Sequence, residues 1–545
     1  MTKIAHYLQE HLVGEVMTST DARQFFATDG SVFSLQPTVV VYPRNENDIR
    51  KATRFTWQLA ERGRVIPITA RGSGTDQGGA ALGQGIMLVF PAHLHRILEL
   101  DTKSGEVTVE PGINYGKLQQ ALITHNRFLP PYPASLEFST VGGAVANNAA
   151  GEKSLKYGDS RHYVKGLRVV LANGEVIETG RLTKRELSKK LGLSTFEGEI
   201  YRAVDTLLEE NKDVIHGINF NITKNAAGYE IVDIKRKDGS FDLTPLIVGS
   251  QGTLGIISEI TLTTEPYRPE TVLLLATFEN LENAQAAVNE LRARPELPSV
   301  MEMVDSSLLK QVNAANPNQL KDIIQPPFPA MLMLIEFDNV TDRHQKKALK
   351  KAQKTLEKYA TSHILETESD QQEKLWKVRH AAATLIGQAK GFVKAVPIIE
   401  DGIVPPDRLQ ELMIGINDIF TRNHLEMAVW GHAGDANLHV QPTLNLGQVG
   451  DRQKAFRLMD EYYKLVIDLG GSTTGEHGDG RLRAPYLEKL YGVEVYSLFQ
   501  KIKQIFDPYG TLNPGVKINV TLDDIKPLLR QEFSLGQFYN HLPHS

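Results

Sequence analysis

Residues 68–85 read ITARGSGTDQGGAALGQG, with six glycines between Arg71 and Gly85. Before it, RVIPITA (64–70) has the β-branched character of a strand. After it, Ile86 to Phe90 is short, apolar and strand-like. Consecutive backbone N–H groups in a glycine-rich turn form a concave anion site, and glycine lets a phosphate come close to the chain. Arg71, Gly72, Ser73, Gly74, Thr75 and Asp76 are the candidate cradle. A Rossmann loop reads GxGxxG and opens a helix; here Gly72, Gly74 and Gly78 give GxGxxxG, and a strand follows. The GK[ST] of a P-loop is absent. On the glycines alone, a flexible surface loop fits equally well.

Upstream, PTVVVYP (37–43) is a strand bounded by prolines, and Asn45 offers an N-cap to the helix NDIRKATRFTWQLAERG (47–63). Downstream, HRILEL (95–100) and EVTVEPG (106–112) form a hairpin through DTKSG, and a helix runs on from Asn114. Residues 164–180 read as two strands about the Asn173-Gly174 turn, 197–211 as a helix, and TPLIVGSQGTLGIISEITLTT (244–264) as closing strands. After Pro266 and Pro269 the pattern changes. TVLLLATFE, a helix at 281–294 and VMEMVD make one β-α-β unit. MLMLIEFD, a helix at 343–360 and HILETE make another. This loose duplication predicts an α+β domain with a mostly antiparallel sheet. The units expected are an N-terminal segment of mixed helix and loop (1–35), a two-part binding domain (36–268), a C-terminal α+β domain (269–520) and a solvated tail (521–545).

Composition sets the outer limits. The chain has 545 residues, 41% hydrophobic, and a net charge of −5 from 60 basic and 65 acidic side chains. That length suffices for about two to four domains. No basic surplus draws it to nucleic acid. With no cysteine, disulfides, thiol nucleophiles, thiolate zinc sites and cysteine-ligated iron–sulfur clusters are excluded. No apolar run approaches the roughly 18 residues of a membrane span, and the first twenty residues show no secretory signal. A cytoplasmic location is expected, with peripheral contact at the inner membrane left open.

The densest chemistry lies in VWGHAGDANLH (429–439) and GEHGDG (475–480). His432 and His439 stand seven apart, so they are not a helical pair, but a loop through Gly434 could turn both rings inward. With Glu476 they make a His₂Glu set, the pattern of a catalytic metal with an open position. A divalent ion, zinc first, is the expected occupant. Hydrogen-bonded loop or core histidines are the competing reading.

Taken together, PTVVVYPRNENDI, ITARGSGTDQGGAALGQG, STVGGAVANNAAG, KYG and LIVGSQGTLGIISEI, in this order over about residues 37–265, resemble the flavin domain of the vanillyl-alcohol oxidase / p-cresol methylhydroxylase family. The resemblance implies FAD, its pyrophosphate on Arg71 to Asp76. It places Thr140, Val141, Gly142, Gly143 and Asn147 along the flavin and ribityl chain, and Gly249 and Ile256 toward the adenine. Some relatives hold flavin covalently through a histidine in the first loop; Thr75 and Asp76 stand here, so non-covalent FAD is expected. Gln251 stands where relatives often carry Glu. The segments at 429–439 and 475–480, Leu375-Trp376-x-x-Arg379 and the ending FDPYGTLNPG (506–515) are similar to FAD-linked D-lactate, glycolate and D-2-hydroxyglutarate dehydrogenases. The likeness puts Asn513 near the flavin. Ala436 replaces a commoner Gly, and NPGVKI departs slightly from NPGK. The stretch 130–158 is closest to larger bacterial enzymes that fuse this unit to an iron–sulfur domain.

The implied reaction oxidises a D-2-hydroxy acid, D-lactate ahead of D-2-hydroxyglutarate and glycolate. A metal lowers the pKa of the substrate hydroxyl, His477 is the candidate general base, and FAD takes the hydride. Arg379 and then Lys394 are candidates for the substrate carboxylate. Relatives acting on D-2-hydroxyglutarate contact it through an Arg, a Thr four residues on and a Lys fifteen on; here the middle position is Ala383. The expected acceptor is a quinone, a cytochrome or a separate iron–sulfur protein, and a homodimer is one assembly left open. A flavin-carrying electron-transfer subunit with a degenerate substrate site and a zinc hydrolase are the other readings.

Overall fold

A computed structural model of the protein describes residues 3–338, 343–388 and 393–534, without the side chains of 319 and 381–388. The fold is α+β. Its first half holds two larger sheets and a two-stranded ladder of Arg127–Phe128 with Glu265–Pro266. The strands β1 (Glu15–Met17), β2 (Val39–Tyr42), β3 (Ile68–Arg71) and β4 (Ile86–Val89) pair in the order β1-β2-β4-β3. β2, β4 and β3 run parallel, and β1 joins antiparallel. The helix Glu46–Ala60 links β2 to β3, and Asn45 caps it by accepting from the Asp48 amide. The 1–35 segment was expected to be helix and loop; β1 corrects this, because a parallel sheet leaves an edge of unpaired backbone that β1 covers.

The second sheet is antiparallel. It holds β5 (Ile97–Asp101), β6 (Glu106–Val109), β7 (Val164–Val170), β8 (Val176–Thr179) and β9 (Ile256–Thr263), in the order β5-β6-β9-β7-β8. Both expected hairpins form, and Gly174 takes the positive φ (83°) that the second turn requires. β9 alternates buried and half-buried residues along its length, as a sheet with one covered face should. Thr244–Ile247, expected as strand, is instead one helical turn with Pro245 at its start; proline's fixed φ and missing N–H suit that position.

Among the described residues, the second half is built on one antiparallel sheet of eight strands. Those that matter here are β10 (Thr271–Phe278), β11 (Val300–Asp305), β12 (Met331–Asp338), β13 (Ser362–Glu366), β14 (Lys394–Ala395), β15 (Met427–His432) and β16 (Asn437–Leu444), ordered β13-β10-β12-β11-β15-β16-β14. Helices 281–292, 343–359, 409–422 and 449–468 pack apolar faces such as Leu291, Leu356, Ile416 and Tyr462 into its largest core.

Residues 487–518 return to the first half. The helix Leu487–Phe506 sends Leu498, Phe499 and Ile502 into the core that holds Val109, Tyr201 and Ile260. Ile68 then donates to the Thr511 carbonyl (2.8 Å), and Asn513 to that of Ile68 (2.9 Å). The 521–534 segment is not solvated as expected. Ile525, Leu529 and Phe533 are buried, reached from a helical turn, a 3₁₀ turn and the irregular stretch after it, and the Ser34 and Arg530 amides pair the segment to residues 32–34 (2.9 Å each).

Candidate active site

The glycine run folds into one wall of a cleft. Residues 71–76 line it opposite Thr140, Gly142, Gly143 and Asn147, and Gln251 and Ile256 close it. The N–H groups of Gly72, Ser73, Gly74 and Thr75 donate to no acceptor among the described residues. A Cβ at Gly72 would lie 2.2 Å from Thr140 Oγ1, so only glycine lets the two loops approach. Arg71 offers the cleft its backbone rather than its charge. Its guanidinium turns under the loop, donates to the Thr28 carbonyl (2.8 Å) and lies over the Phe26 ring. Asp76 accepts from the Ala80 amide (2.7 Å) and from Asn147 (3.0 Å), tying the loop to the opposite wall. Asn513 braces it from beneath, donating to the Ala80 and Gln251 carbonyls (2.9 and 2.8 Å). Gln251 takes φ 54°, accepts from Gly480 and donates to Asn147. Three candidates lie off the cleft lining: Asn513 beneath the loop, Val141, buried in the helix Val141–Asn147, and Gly249, which packs against Asn148.

The cleft opens into a cavity of ≈290 Å³ that reaches the second half. Thr75, Asp76, Gly143 and Asn147 line one side; His432, His439, Glu476, His477 and Arg379 line the other. The histidines converge through strand register. His432 ends β15 opposite Asn437, the first residue of β16. His439 lies two residues further along β16, on the same face. The turn at 433–436 that joins the strands uses Ala436 at φ 51°, a conformation glycine takes without strain. Thus paired strands, rather than a loop alone, turn the rings inward. His432 Nε2 lies 3.1 Å from Glu476 Oε1, with His439 Nε2 at 3.4 Å and His477 Nε2 at 3.6 Å.

Carboxylates absent from the sequence reading hold these rings. Glu302 sits opposite His432 in the β11–β15 register. It accepts from His432 Nδ1, and from Arg379 Nε at 2.6 Å. Glu400 accepts from His477 Nδ1 (2.7 Å), lies 3.3 Å from His439 Nδ1 and pairs with Arg483. Both glutamates are 1% exposed. Glu302 could have been suspected as the charge inside the apolar strand VMEMVD; Glu400, in an irregular segment, gave no periodic signal. Asp401 also approaches His439, Glu476 and His477. Its Oδ2, however, accepts from the Thr474 hydroxyl and from the amides of 476 and 477, so it shapes the loop. Lys394, half-buried on β14 beside Leu444, does not line this cavity. The side chain of Ala383 lies outside the described residues.

The carboxylates govern the site's charge. Burial opposes charge on His432, but Glu302 outweighs it and raises its pKa to about 9. Burial likewise opposes charge on His477, which Glu400 and Asp401 raise to about 10. Burial also opposes ionisation of Glu302, yet His432 and Arg379 hold it at about 2. His432 and His477 are therefore held protonated at neutral pH, facing ionised carboxylates.

Residues 37–180 match an FAD binding domain, and residues 268–516 match the C-terminal domain of FAD linked oxidases. Glycolate oxidase subunit GlcD of Bacillus subtilis is 30% identical over 89% of this chain and 89% of its own. The chain belongs to the FAD-linked oxidase family. D-2-hydroxyglutarate dehydrogenase of Pantoea ananatis is 29% identical over 92% of the chain, which spans 50% of that longer protein. D-lactate dehydrogenase of Archaeoglobus fulgidus is 27% identical over 92% of the chain and 96% of its own. In fold, 4-ethylphenol oxidase of Gulosibacter chungangensis superposes with a TM-score of 0.68 at 17% identity, over 95% and 97% of the two chains. The protein is an FAD-linked oxidoreductase. Its cleft fits the cofactor: unpaired loop amides for a pyrophosphate, and a wall where a Cβ at Gly72 would intrude. Among the described residues no helix is long and apolar enough to cross a membrane.

Proposed function

We propose that the protein oxidises a D-2-hydroxy acid to the 2-oxo acid, with D-lactate favoured over D-2-hydroxyglutarate and glycolate. The observation that carries this reading is the single cavity shared by the flavin-side residues Thr75, Asp76, Gly143 and Asn147 and the cluster of His432, His439, Glu476 and His477. FAD, when bound, accepts the hydride from the α-carbon. His432, His439 and Glu476 would hold a divalent cation, zinc first, which supplies Lewis acidity toward the α-hydroxyl. A divalent charge beside His477 would oppose its protonation and favour the neutral ring. Its Nε2, with Nδ1 fixed on Glu400, then accepts the hydroxyl proton as the C–H bond breaks. Among the described residues Arg379 is anchored through Nε, on Glu302, and its terminal nitrogens would take the carboxylate. Trp430, Phe138 and Phe533 wall the cavity, which supports a short side chain. The proposed acceptor is a quinone, a cytochrome or an iron–sulfur protein.

Anaerobic mixing of the purified holoprotein with D-lactate, L-lactate, D-2-hydroxyglutarate and glycolate tests this. D-lactate should bleach the flavin fastest. Bleaching by the L isomer alone would overturn the stereochemical assignment, and bleaching by none would overturn the reaction.

A further inference from the structure

Glu476 belongs to the second half of the molecule, yet its nearest cation comes from the first. Lys224 lies in the irregular stretch between the helix Lys212–His216 and the turn Thr244–Ile247, and its side chain is 1% exposed. Its Nζ donates to Glu476 Oε2 (2.8 Å) and to Ser154 Oγ (3.2 Å), and lies 3.9 Å from Asp435 Oδ2. The Ser154 hydroxyl in turn donates to that same Asp435 oxygen (2.6 Å). The stretch is stitched to the loop that carries Glu476: Ala226 donates to the Thr474 carbonyl (3.2 Å), and Gly228 to Asp479 (2.8 Å). The lysine is thus delivered from a fixed backbone.

The two oxygens of Glu476 have different tasks. Oε1 faces all three imidazoles, and Oε2 is taken by Lys224. An ion pair buried this deeply adds little stability over an apolar pair of the same shape. Its place behind a ligand carboxylate gives it another role, since partners behind a ligand set its orientation and basicity.

We infer that Lys224 is a positioning residue that restricts Glu476 to ligation through Oε1, so that the flavin-carrying half completes the ion site of the other half. This rests on the reading that His432, His439 and Glu476 hold a divalent cation. A lysine that only neutralised Glu476 and Asp435 would affect folding and leave coordination unchanged.

The test uses the flavin-loaded protein and Lys224→Met, with zinc affinity measured by chelator competition and the visible spectrum recorded after cobalt(II) substitution. Flavin content like that of the wild type reports an intact fold. The expected result is zinc affinity lower by about 10–100-fold, with weaker cobalt bands as Glu476 binds through both oxygens and coordination number rises. If Lys224→Met loses its flavin, Lys224→Gln, which keeps a donor without charge, is read in the same way. A flavin-loaded variant with zinc affinity within about threefold of wild type and an unchanged cobalt spectrum overturns the inference. A wild-type protein that binds neither ion overturns the cation reading first, and the inference with it.

Discussion

Glu302 carries two duties with one carboxylate: it orients His432 and it anchors Arg379. Glu302→Gln keeps the shape, removes the charge and should weaken both. We expect kcat/KM for D-lactate to fall about 10–100-fold with flavin content unchanged, the range found when a partner behind a metal ligand is lost; steady-state kinetics with flavin quantitation checks this. The raised histidines also predict a pH response. A group whose folded pKa is raised contributes stability that is fully present below its unfolded value, 6.5 for histidine, and lost as pH climbs through the folded value. For His432 and His477 that window runs from about 7 to 10. Metal-stripped protein should therefore melt at lower temperature at pH 9.5 than at pH 7, and zinc should lessen the difference. Equal melting temperatures at the two pH values in the stripped protein would contradict the assignment.

Among the elements, the β15–β16 hairpin and the C-terminal segment shape the site. The hairpin works because antiparallel pairing puts residue 432 opposite 437 and leaves 439 on the same face; a slip of one residue would turn one ring outward. The C-terminal segment brings Phe533 to the cavity wall from nearly the end of the described chain. Phe533→Ala should widen the cavity, raising kcat/KM for longer D-2-hydroxy acids such as D-2-hydroxyisocaproate relative to D-lactate. An unchanged ratio of the two would remove Phe533 from the substrate wall.

The whole molecule brings together two sites made by different halves. The cofactor cleft is walled by residues 70–257, and the ion cluster hangs on the eight-stranded sheet and the 475–480 loop. They meet in one cavity but present different groups to their ligands, so they should be separable by chemistry. Dialysis against a chelator should leave the visible flavin absorbance in place while anaerobic bleaching by D-lactate stops. Full bleaching after the metal is removed would take the cation out of the reaction.

Much of this was legible from residue order because it rests on local rules. A glycine run between two strands, Asn45 ahead of a helix, the Asn173-Gly174 turn and two histidines bracketing a tight turn each declare their geometry within a few residues. FAD and the dehydrogenase group were legible as well, since their motifs are contiguous. Other features depend on contacts between residues far apart in the chain, and no local pattern specifies those. The pairing of Glu302 with His432 spans 130 positions and follows from the alignment of β11 with β15. Glu400 behind His477, the burial of the 521–534 segment and the return of residues 487–518 to the first core are of the same kind. Lys224 is another case, 252 positions from Glu476. The sequence supplies the chemical groups and the elements that carry them; only the packing of the two halves decides which oxygen meets which nitrogen.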